Sequence, residues 1–253
     1  MKKPVMIYAV VCSCCLLLVS CKTTNEREGE YSAQRVNETS QQQGLIEKVL
    51  TAEEQAALTP DEVLQGFKEG NERFRKNDLT RRNHSAQVRA SALGQYPKAV
   101  VLSCLDSRIP VEDVFDKGIG DVFVARVAGN FVNEDILGSM EFGCKVAGSK
   151  LIVVMGHESC GAVKAAIDDV ELGNITAMLQ NIRPAVQMAQ DYSGEKTTKN
   201  NEFVTHVSKA NVRNTVENIK QRSPILKEMA DKNEIKIVGA FYDMETGVVE
   251  FIE

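Results

Sequence analysis

The chain has 253 residues, of which 43% are hydrophobic and 26% are charged, and its formal net charge at pH 7 is −5. Positive and negative side chains are mixed along the chain, and this slightly acidic balance argues against a nucleic-acid-binding protein. The length suits one sizeable domain with a full hydrophobic core.

Residues 1–20 are predicted to form a signal peptide. They begin with two lysines and continue as an uncharged apolar run, which is typical of secretory signals. The run is shorter than the ~20 apolar residues of a membrane span. Cys21 follows it and resembles the cysteine of a bacterial lipobox. The resemblance implies cleavage before Cys21, acylation of this residue, and an exported protein anchored by lipid to a bacterial membrane, on the periplasmic side or at the cell surface.

Residues 21–44 are predicted to form a disordered tether behind the lipidated cysteine. This segment is rich in Ser, Thr, Asn, Gln and Glu and has few large apolar side chains. Such a composition cannot bury enough surface to offset the conformational entropy lost on folding. Residues 45–253 are therefore predicted to form the folded domain.

Helix and strand patterns alternate through that domain. Thr59, Pro60 and Glu62 predict a capped helix start, and the helical spacing continues to Lys76. The remaining pattern favours an α/β fold, with a mainly parallel central sheet flanked by helices, an N-terminal helical arm and a C-terminal β-hairpin that turns at Gly247. The predicted strands are 99–102, 121–126, 151–155, 235–242 and 248–252; the predicted helices are 111–115, 134–146, 160–167 and most of 175–230, with a break at 191–201.

Cysteine and histidine follow two of the predicted parallel strands. Cys104 comes after strand 99–102, and His157 and Cys160 come after strand 151–155. The carboxyl ends of parallel strands carry ligand sites in open α/β sheets. Two sulfurs and one imidazole suit zinc, and three protein ligands leave a fourth position for chemistry. The remaining cysteine of the domain, Cys144, lies in an apolar helical pattern and is predicted to be a buried small hydrophobe.

Two further polar residues accompany the first cysteine. Asp106 can accept a hydrogen bond from a zinc-bound hydroxide at that fourth position and so orient its lone pair toward a substrate. Arg108 can hold Asp106 in a bidentate pair and keep it ionised. We therefore predict Asp106 and Arg108 as catalytic residues beside the ligands Cys104, His157 and Cys160.

The two motifs together resemble those of β-class carbonic anhydrases, whose pattern is Cys-x-Asp-x-Arg followed by His-x-x-Cys. Here the motifs are Cys104 to Arg108 and His157 to Gly161, and the similarity covers roughly residues 95–253. The resemblance implies a zinc enzyme that hydrates carbon dioxide reversibly to bicarbonate and a proton, assembled as a homodimer or a higher oligomer. It also implies that Asp106 can move onto zinc and block the site.

The resemblance further implies substrate-binding positions. Gln95, Phe123 and Gly161 match such positions by spacing, and Phe142 stands where plant-type relatives have a tyrosine. The alternatives are a solvated loop for Gln95 and plain core packing for the two phenylalanines.

Some β-class members also have a second, regulatory bicarbonate site. Arg126 matches its arginine, but Val101 occupies the position of its tryptophan, so we expect no such switch. His84 and His206 are candidate proton shuttles. The alternatives are an exposed loop for His84 and an exposed helix surface for His206. Arg81 and Arg82 are predicted to decorate the same exposed loop as His84.

Two other functions stay open at this point. The first is a hydrolase of carbonyl sulfide or carbon disulfide that uses the same zinc site. In such an enzyme the access route to the zinc would be narrower and more apolar. The second is a non-catalytic zinc or redox protein in which Cys104 and Cys160 form a disulfide.

Overall fold

A five-stranded sheet forms the centre of the fold. Its order is β2-β1-β3-β4-β5, with the first four strands parallel and β5 antiparallel to β4. The strands are β1 (Ala99–Ser103), β2 (Val122–Arg126), β3 (Leu151–His157), β4 (Lys236–Tyr242) and β5 (Val249–Ile252). The computed structural model describes residues 44–252, so the predicted signal, Cys21 and nearly all of the tether lie outside the described residues.

Helices cover both faces of this sheet, as the predicted fold class requires. They are α1 (Ala52–Ala57), α2 (Pro60–Arg75), α3 (His84–Ser91), α4 (Val111–Val114), α5 (Glu134–Glu141), α6 (Gly161–Ile167), α7 (Gly173–Leu179), α8 (Arg183–Met188), α9 (Asn201–Arg222) and α10 (Pro224–Asp231). Among residues 44–252, no helix combines the length and the apolar character that crossing a membrane requires.

Alternate residues of the central strands belong to two separate hydrophobic cores. Val101 and Val153 pack with α2 and α4 on one face, whereas Leu102 and Val154 pack with α5, α9 and α10 on the other. Successive side chains of a strand point to opposite faces, so a strand covered on both sides must be apolar throughout. This explains the unbroken apolar runs that predict β1 and β3.

Several predicted details are confirmed. Thr59 and Glu62 form the capping box of α2, and Gly247 adopts a φ of +72° in the final hairpin. The predicted helix 134–146 begins as α5 and widens into a π-helix over Phe142–Val146. Cys144 is buried in that π-helix, and burial raises the pKa of its thiol to about 12.

Strand β3 is two residues longer than predicted, and the extension carries His157. A Cβ at Gly156 would lie 2.6 Å from Val212 Cγ2, so α9 packs directly on the strand backbone there. The ladder with β4 continues to the pair His157 and Tyr242. His157 is therefore held by the sheet itself rather than by a loop.

The prediction that Arg82 decorates an exposed loop is wrong. Arg82 and Arg73 both form ion pairs with Asp116, whose side chain is fully buried. Burial by itself would raise the pKa of Asp116, but the Thr80 hydroxyl and the two guanidinium groups outweigh it and lower this pKa to about 2. The segment before α3 is thus tied into the domain by charge, which an apolar pattern does not reveal.

Candidate metal centre

The pairing of β1 with β3 brings the three predicted zinc ligands together. Ser103 pairs with Met155 in the parallel register, so the residues that follow them leave the same edge of the sheet. The ligand atoms of Cys104, His157 and Cys160 all lie within 4.8 Å of one another, and all three residues are buried. They form one group that could hold a metal ion.

A tight turn carries the chain from His157 to Cys160. Ser159 has a φ of +53°, a left-handed conformation that reverses the chain before α6. Cys160 is the N-cap residue of α6, but its thiol makes no capping bond within the described chain. The sulfur therefore stays free to face Cys104, whose Sγ lies 3.8 Å away.

The backbone N–H of a glycine contacts the sulfur atom of Cys104. The Gly129 N–H donates to Cys104 Sγ over 3.3 Å. Gly129 has a φ of +85°, and a Cβ there would lie 2.3 Å from Ile182 Cδ1. Only glycine fits this position, and the fit brings a backbone donor onto the sulfur.

The hydrogen bond of the His157 ring determines which nitrogen is free. Nδ1 lies 2.9 Å from the carbonyl oxygen of Glu158. A carbonyl oxygen can only accept, so Nδ1 carries the proton and Nε2 presents its lone pair. Nε2 is buried and has no hydrogen-bond partner among the described residues. Such an orphaned lone pair beside two sulfurs fits a metal ligand.

The two thiols cannot both ionise readily when no cation is present. The hydrogen bond between their sulfurs lowers the pKa of Cys104 and raises the pKa of Cys160. Two buried thiolates 3.8 Å apart would repel each other strongly. A divalent cation between them removes this conflict, and two soft sulfurs with one imidazole suit zinc. The residues present therefore fit the cofactor that the motifs imply.

Asp106 and Arg108 form the predicted bidentate pair next to this group. Arg108 Nε donates to Oδ1 over 2.9 Å, and Arg108 Nη2 donates to Oδ2 over 2.7 Å. Asp106 Oδ2 also lies 4.0 Å from His157 Nδ1. The Arg108 guanidinium holds the pKa of the Asp106 carboxyl well below its usual range. The carboxylate is thus ionised and adjacent to the candidate ligands.

Arg126 supports the same loop through its backbone. Its Nε donates to the carbonyl oxygen of Cys104 over 2.9 Å, and its Nη2 donates to that of Asp106. The spacing match relates Arg126 only to a regulatory site, so this contact is absent from the sequence predictions. Val101, the position of the regulatory tryptophan, is fully buried in the core.

Of the predicted substrate residues, Gln95, Phe123 and Phe142 do not meet the candidate ligands within one chain. Phe123 pairs with Val100, four residues before Cys104, which separates them by about 13 Å along the strands. Gln95 is exposed in the loop that enters β1, at the end opposite Cys104. Gly161 lies at the start of α6, beside Cys160.

Phe123 and Phe142 instead line a groove beside the edge strand β2. Their ring centroids are 6.5 Å apart, and Phe142 is 51% exposed. The described lining of this groove includes none of the candidate zinc ligands. Plain core packing therefore does not describe Phe142.

The two candidate proton shuttles lie on helices. His84 is the first residue of α3 and is exposed, so the loop expected for it is wrong. Only Gln87 of α3 is buried, and no apolar stripe marks this helix in the sequence. His206 lies on α9, where its Nε2 is 3.2 Å from Asp191.

Comparison with known proteins identifies the family. A family model described as carbonic anhydrase matches residues 99–249. Carbonic anhydrase 2 of Mycobacterium tuberculosis is 34% identical over 194 residues, which cover 74% of this chain and 90% of that protein. The chain belongs to the carbonic anhydrase family. The carbonic anhydrase of Mycolicibacterium smegmatis is 32% identical over 197 residues, which cover 76% of this chain and 92% of that protein.

Solved structures place the fold of this carbonic anhydrase in the β class. The β-carbonic anhydrase CcaA aligns with a TM-score of 0.62 at 22% identity, over 75% of this chain and 87% of that chain. The β-carbonic anhydrase CafA of Aspergillus fumigatus aligns with a TM-score of 0.60 at 24% identity, over 76% of this chain and 90% of that chain.

Replacing one sulfur should remove the metal. We expect Cys160→Ser to lose most of its zinc, because an alcohol is a poor ligand for a soft site. Cys144→Ser is the matched control, since it alters a buried thiol outside the group and its hydroxyl can bond the preceding helical turn. Zinc is quantified in anaerobically purified protein, where the wild type should hold about one ion per chain.

Full zinc occupancy in Cys160→Ser would contradict the assignment of this ligand. Zinc-free wild-type protein with a Cys104–Cys160 disulfide would favour the redox alternative instead.

Proposed function

We propose that this carbonic anhydrase hydrates carbon dioxide reversibly to bicarbonate and a proton, with Cys104, His157 and Cys160 holding a catalytic zinc ion. The observation that carries the proposal is the buried group of two thiols and one unpartnered imidazole nitrogen, with an ionised carboxylate beside it. Three protein ligands leave one position for water or substrate.

When bound, zinc supplies a water molecule acidic enough to act as a nucleophile near neutral pH. The protein's contribution is to orient that nucleophile. Asp106 Oδ1 accepts two bonds from Arg108, from its backbone N–H and from Nε, whereas Oδ2 accepts one bond from Nη2 and keeps a further lone pair. Asp106 therefore accepts a hydrogen bond from the attacking water and turns a water lone pair toward the carbon of the substrate. Arg108 keeps Asp106 ionised, so that it accepts and does not donate.

Removing the charge of Asp106 should slow turnover without removing the metal. We expect Asp106→Asn to keep its zinc and to lose about 10²-fold or more in kcat, because an amide can donate to the nucleophile and misorient it. Stopped-flow hydration assays beside zinc quantification measure both quantities. Asp113→Asn, which alters an exposed carboxyl on α4, is the control and should behave as the wild type. Near wild-type turnover of Asp106→Asn would refute the role given to Asp106.

We also infer that a second copy of the chain completes the substrate pocket. Gln95, Phe123 and Phe142 lie away from the candidate ligands of their own chain, and the groove beside β2 exposes aromatic surface that a partner can cover. A two-fold interface presents the same patch from both chains, so each copy can supply these residues to the other. Solved relatives include tetrameric β-carbonic anhydrases of Sordaria macrospora.

Hybrid assemblies test this inference. Gln95→Ala chains and Cys160→Ser chains should each be poorly active alone, whereas a hybrid purified through two different tags should regain activity. In the hybrid, one site combines the intact ligands of the first chain with Gln95 of the second. A hybrid of Cys160→Ser and Asp106→Asn chains is the control, because both changes affect the same cluster and neither site is complete. A hybrid of the first kind that stays as inactive as its parents would contradict a shared pocket.

We propose further that the protein is exported and anchored to a bacterial membrane through a lipid on Cys21. The support comes from the residues alone: a charged start, an apolar run, and a cysteine followed by a polar segment of 23 residues, from residue 22 to residue 44. Such a segment gives the folded domain reach from the bilayer without a second anchor.

Loss of the lipidation site should release the protein from the membrane. We expect Cys21→Ala to move from the detergent phase to the aqueous phase with its hydration activity intact, since the acyl chains attach outside the folded domain. Cys15→Ala, which changes a cysteine within the predicted signal, should stay membrane-bound. Membrane retention of Cys21→Ala would overturn the anchor.

A further inference from the structure

Glu158 contacts its surroundings through three different groups. Its carbonyl oxygen accepts a hydrogen bond from His157 Nδ1–H over 2.9 Å. Its N–H donates to the carbonyl oxygen of Tyr242 over 3.2 Å. Its carboxylate accepts the N–H of Met244 over 3.1 Å. The residue beside a candidate zinc ligand is therefore tied twice to the C-terminal hairpin.

That hairpin turn is a firm support. Asp243 Oδ1 accepts the backbone N–H groups of Glu245 and Thr246, and the Gly247 N–H donates to the carbonyl oxygen of Asp243. The buried Asn71 side chain bonds the backbone on the far side of the turn, at the carbonyl oxygen of Gly247 and at the N–H of Val249.

This support helps to fix the peptide between Glu158 and Ser159. Its carbonyl is the group that fixes the tautomer of His157, and its orientation depends on the backbone angles on either side. Ser159 has a φ of +53°, which is unfavourable for a residue with a side chain, so the relaxed turn would leave this conformation. A tether on Glu158 opposes that relaxation.

We propose that Glu158 is a positioning residue for His157: its carboxylate, bonded to the Met244 N–H, holds the peptide whose carbonyl orients the imidazole toward the metal. The proposal rests on the assignment of His157 as a zinc ligand. Glu158 needs a side chain long enough to accept the hydrogen bond from the Met244 N–H. Its negative charge is not required.

Two variants separate the effect of side-chain length at residue 158 from the effect of its charge. Glu158→Gln loses the charge and keeps an oxygen at the same distance, whereas Glu158→Asp keeps the charge and is one methylene too short for Met244. Glu245→Asp is the matched control, because it shortens an exposed carboxylate next to Met244 in the same turn. Zinc dissociation constants are measured on full-length proteins by competition with a chelator, well below the unfolding temperature of each variant.

Glu158→Asp should raise the zinc dissociation constant by about 10-fold, the lower end of the effect of residues that support a metal ligand. Glu158→Gln and Glu245→Asp should stay within a few-fold of the wild type. The ring ¹⁵N signals give a second readout in the zinc-free proteins. They are tractable because the chain has only three histidines. His157 should keep its proton on Nδ1 in the wild type and in Glu158→Gln, and show a mixture of tautomers in Glu158→Asp.

Each of the following results would overturn one of these statements. If the wild type binds no zinc, the proposed function fails. If the wild type binds zinc and Glu158→Asp binds it equally well with an unchanged tautomer, the positioning role fails. Glu158→Gln as weak as Glu158→Asp would show that the charge is required as well as the bond to Met244, which would overturn the statement that it is not. An equal loss in Glu245→Asp would assign the effect to the turn in general.

Discussion

The parallel pairing of β1 with β3 is the constraint on which the candidate site depends. Cys104 lies far from His157 and Cys160 in sequence, and nothing local holds the three together. The register that pairs Ser103 with Met155 makes both strands end at the same edge, and the apolar side chains of the two strands fix this register through the cores on both faces. A slip of one residue would turn those side chains to the wrong faces, so the packing energy of the sheet also maintains the geometry of the metal group.

The charges at the three candidate ligands and Asp106 then determine which ion the site can bind. Sulfur atoms 3.8 Å apart, an imidazole nitrogen without a partner, and a carboxylate already paired with arginine leave a deficit of positive charge at the sulfurs. Both described side-chain bonds of Arg108 go to Asp106, so its guanidinium pairs with the carboxylate and not directly with a sulfur. The arrangement therefore separates two tasks: arginine pairs with the carboxylate, and a metal ion would pair with the thiolates.

Much of this could be predicted from the sequence because the signals are local. Thr59 and Glu62 lie one turn apart, and Cys104, His157 and Cys160 lie within a few residues of the ends of apolar runs, so spacing alone carries the information. Arg82 and Gln95 differ in this respect. Arg82 depends on a buried carboxylate 34 residues away, and a charged residue has the same sequence appearance whether it faces water or Asp116. The distance of Gln95 and Phe123 from the ligands depends on three-dimensional placement, which a family motif does not specify for a single chain.

Gly129 shows how the absence of a side chain can shape a metal centre. Its N–H contacts Cys104 Sγ, its carbonyl oxygen accepts the Asn211 side-chain amide over 2.7 Å, and Ile182 occupies the space of a Cβ. One residue thereby links the sulfur to α9 and to the residue just before α8. The evolutionary consequence is that this position accepts no other amino acid easily, because a Cβ would meet Ile182 and the residue would have to keep a φ of +85°, which side chains rarely adopt. The choice of amino acid is thus restricted at a residue that supplies no ligand atom as well as at the candidate ligands. The physical origins of the two restrictions differ.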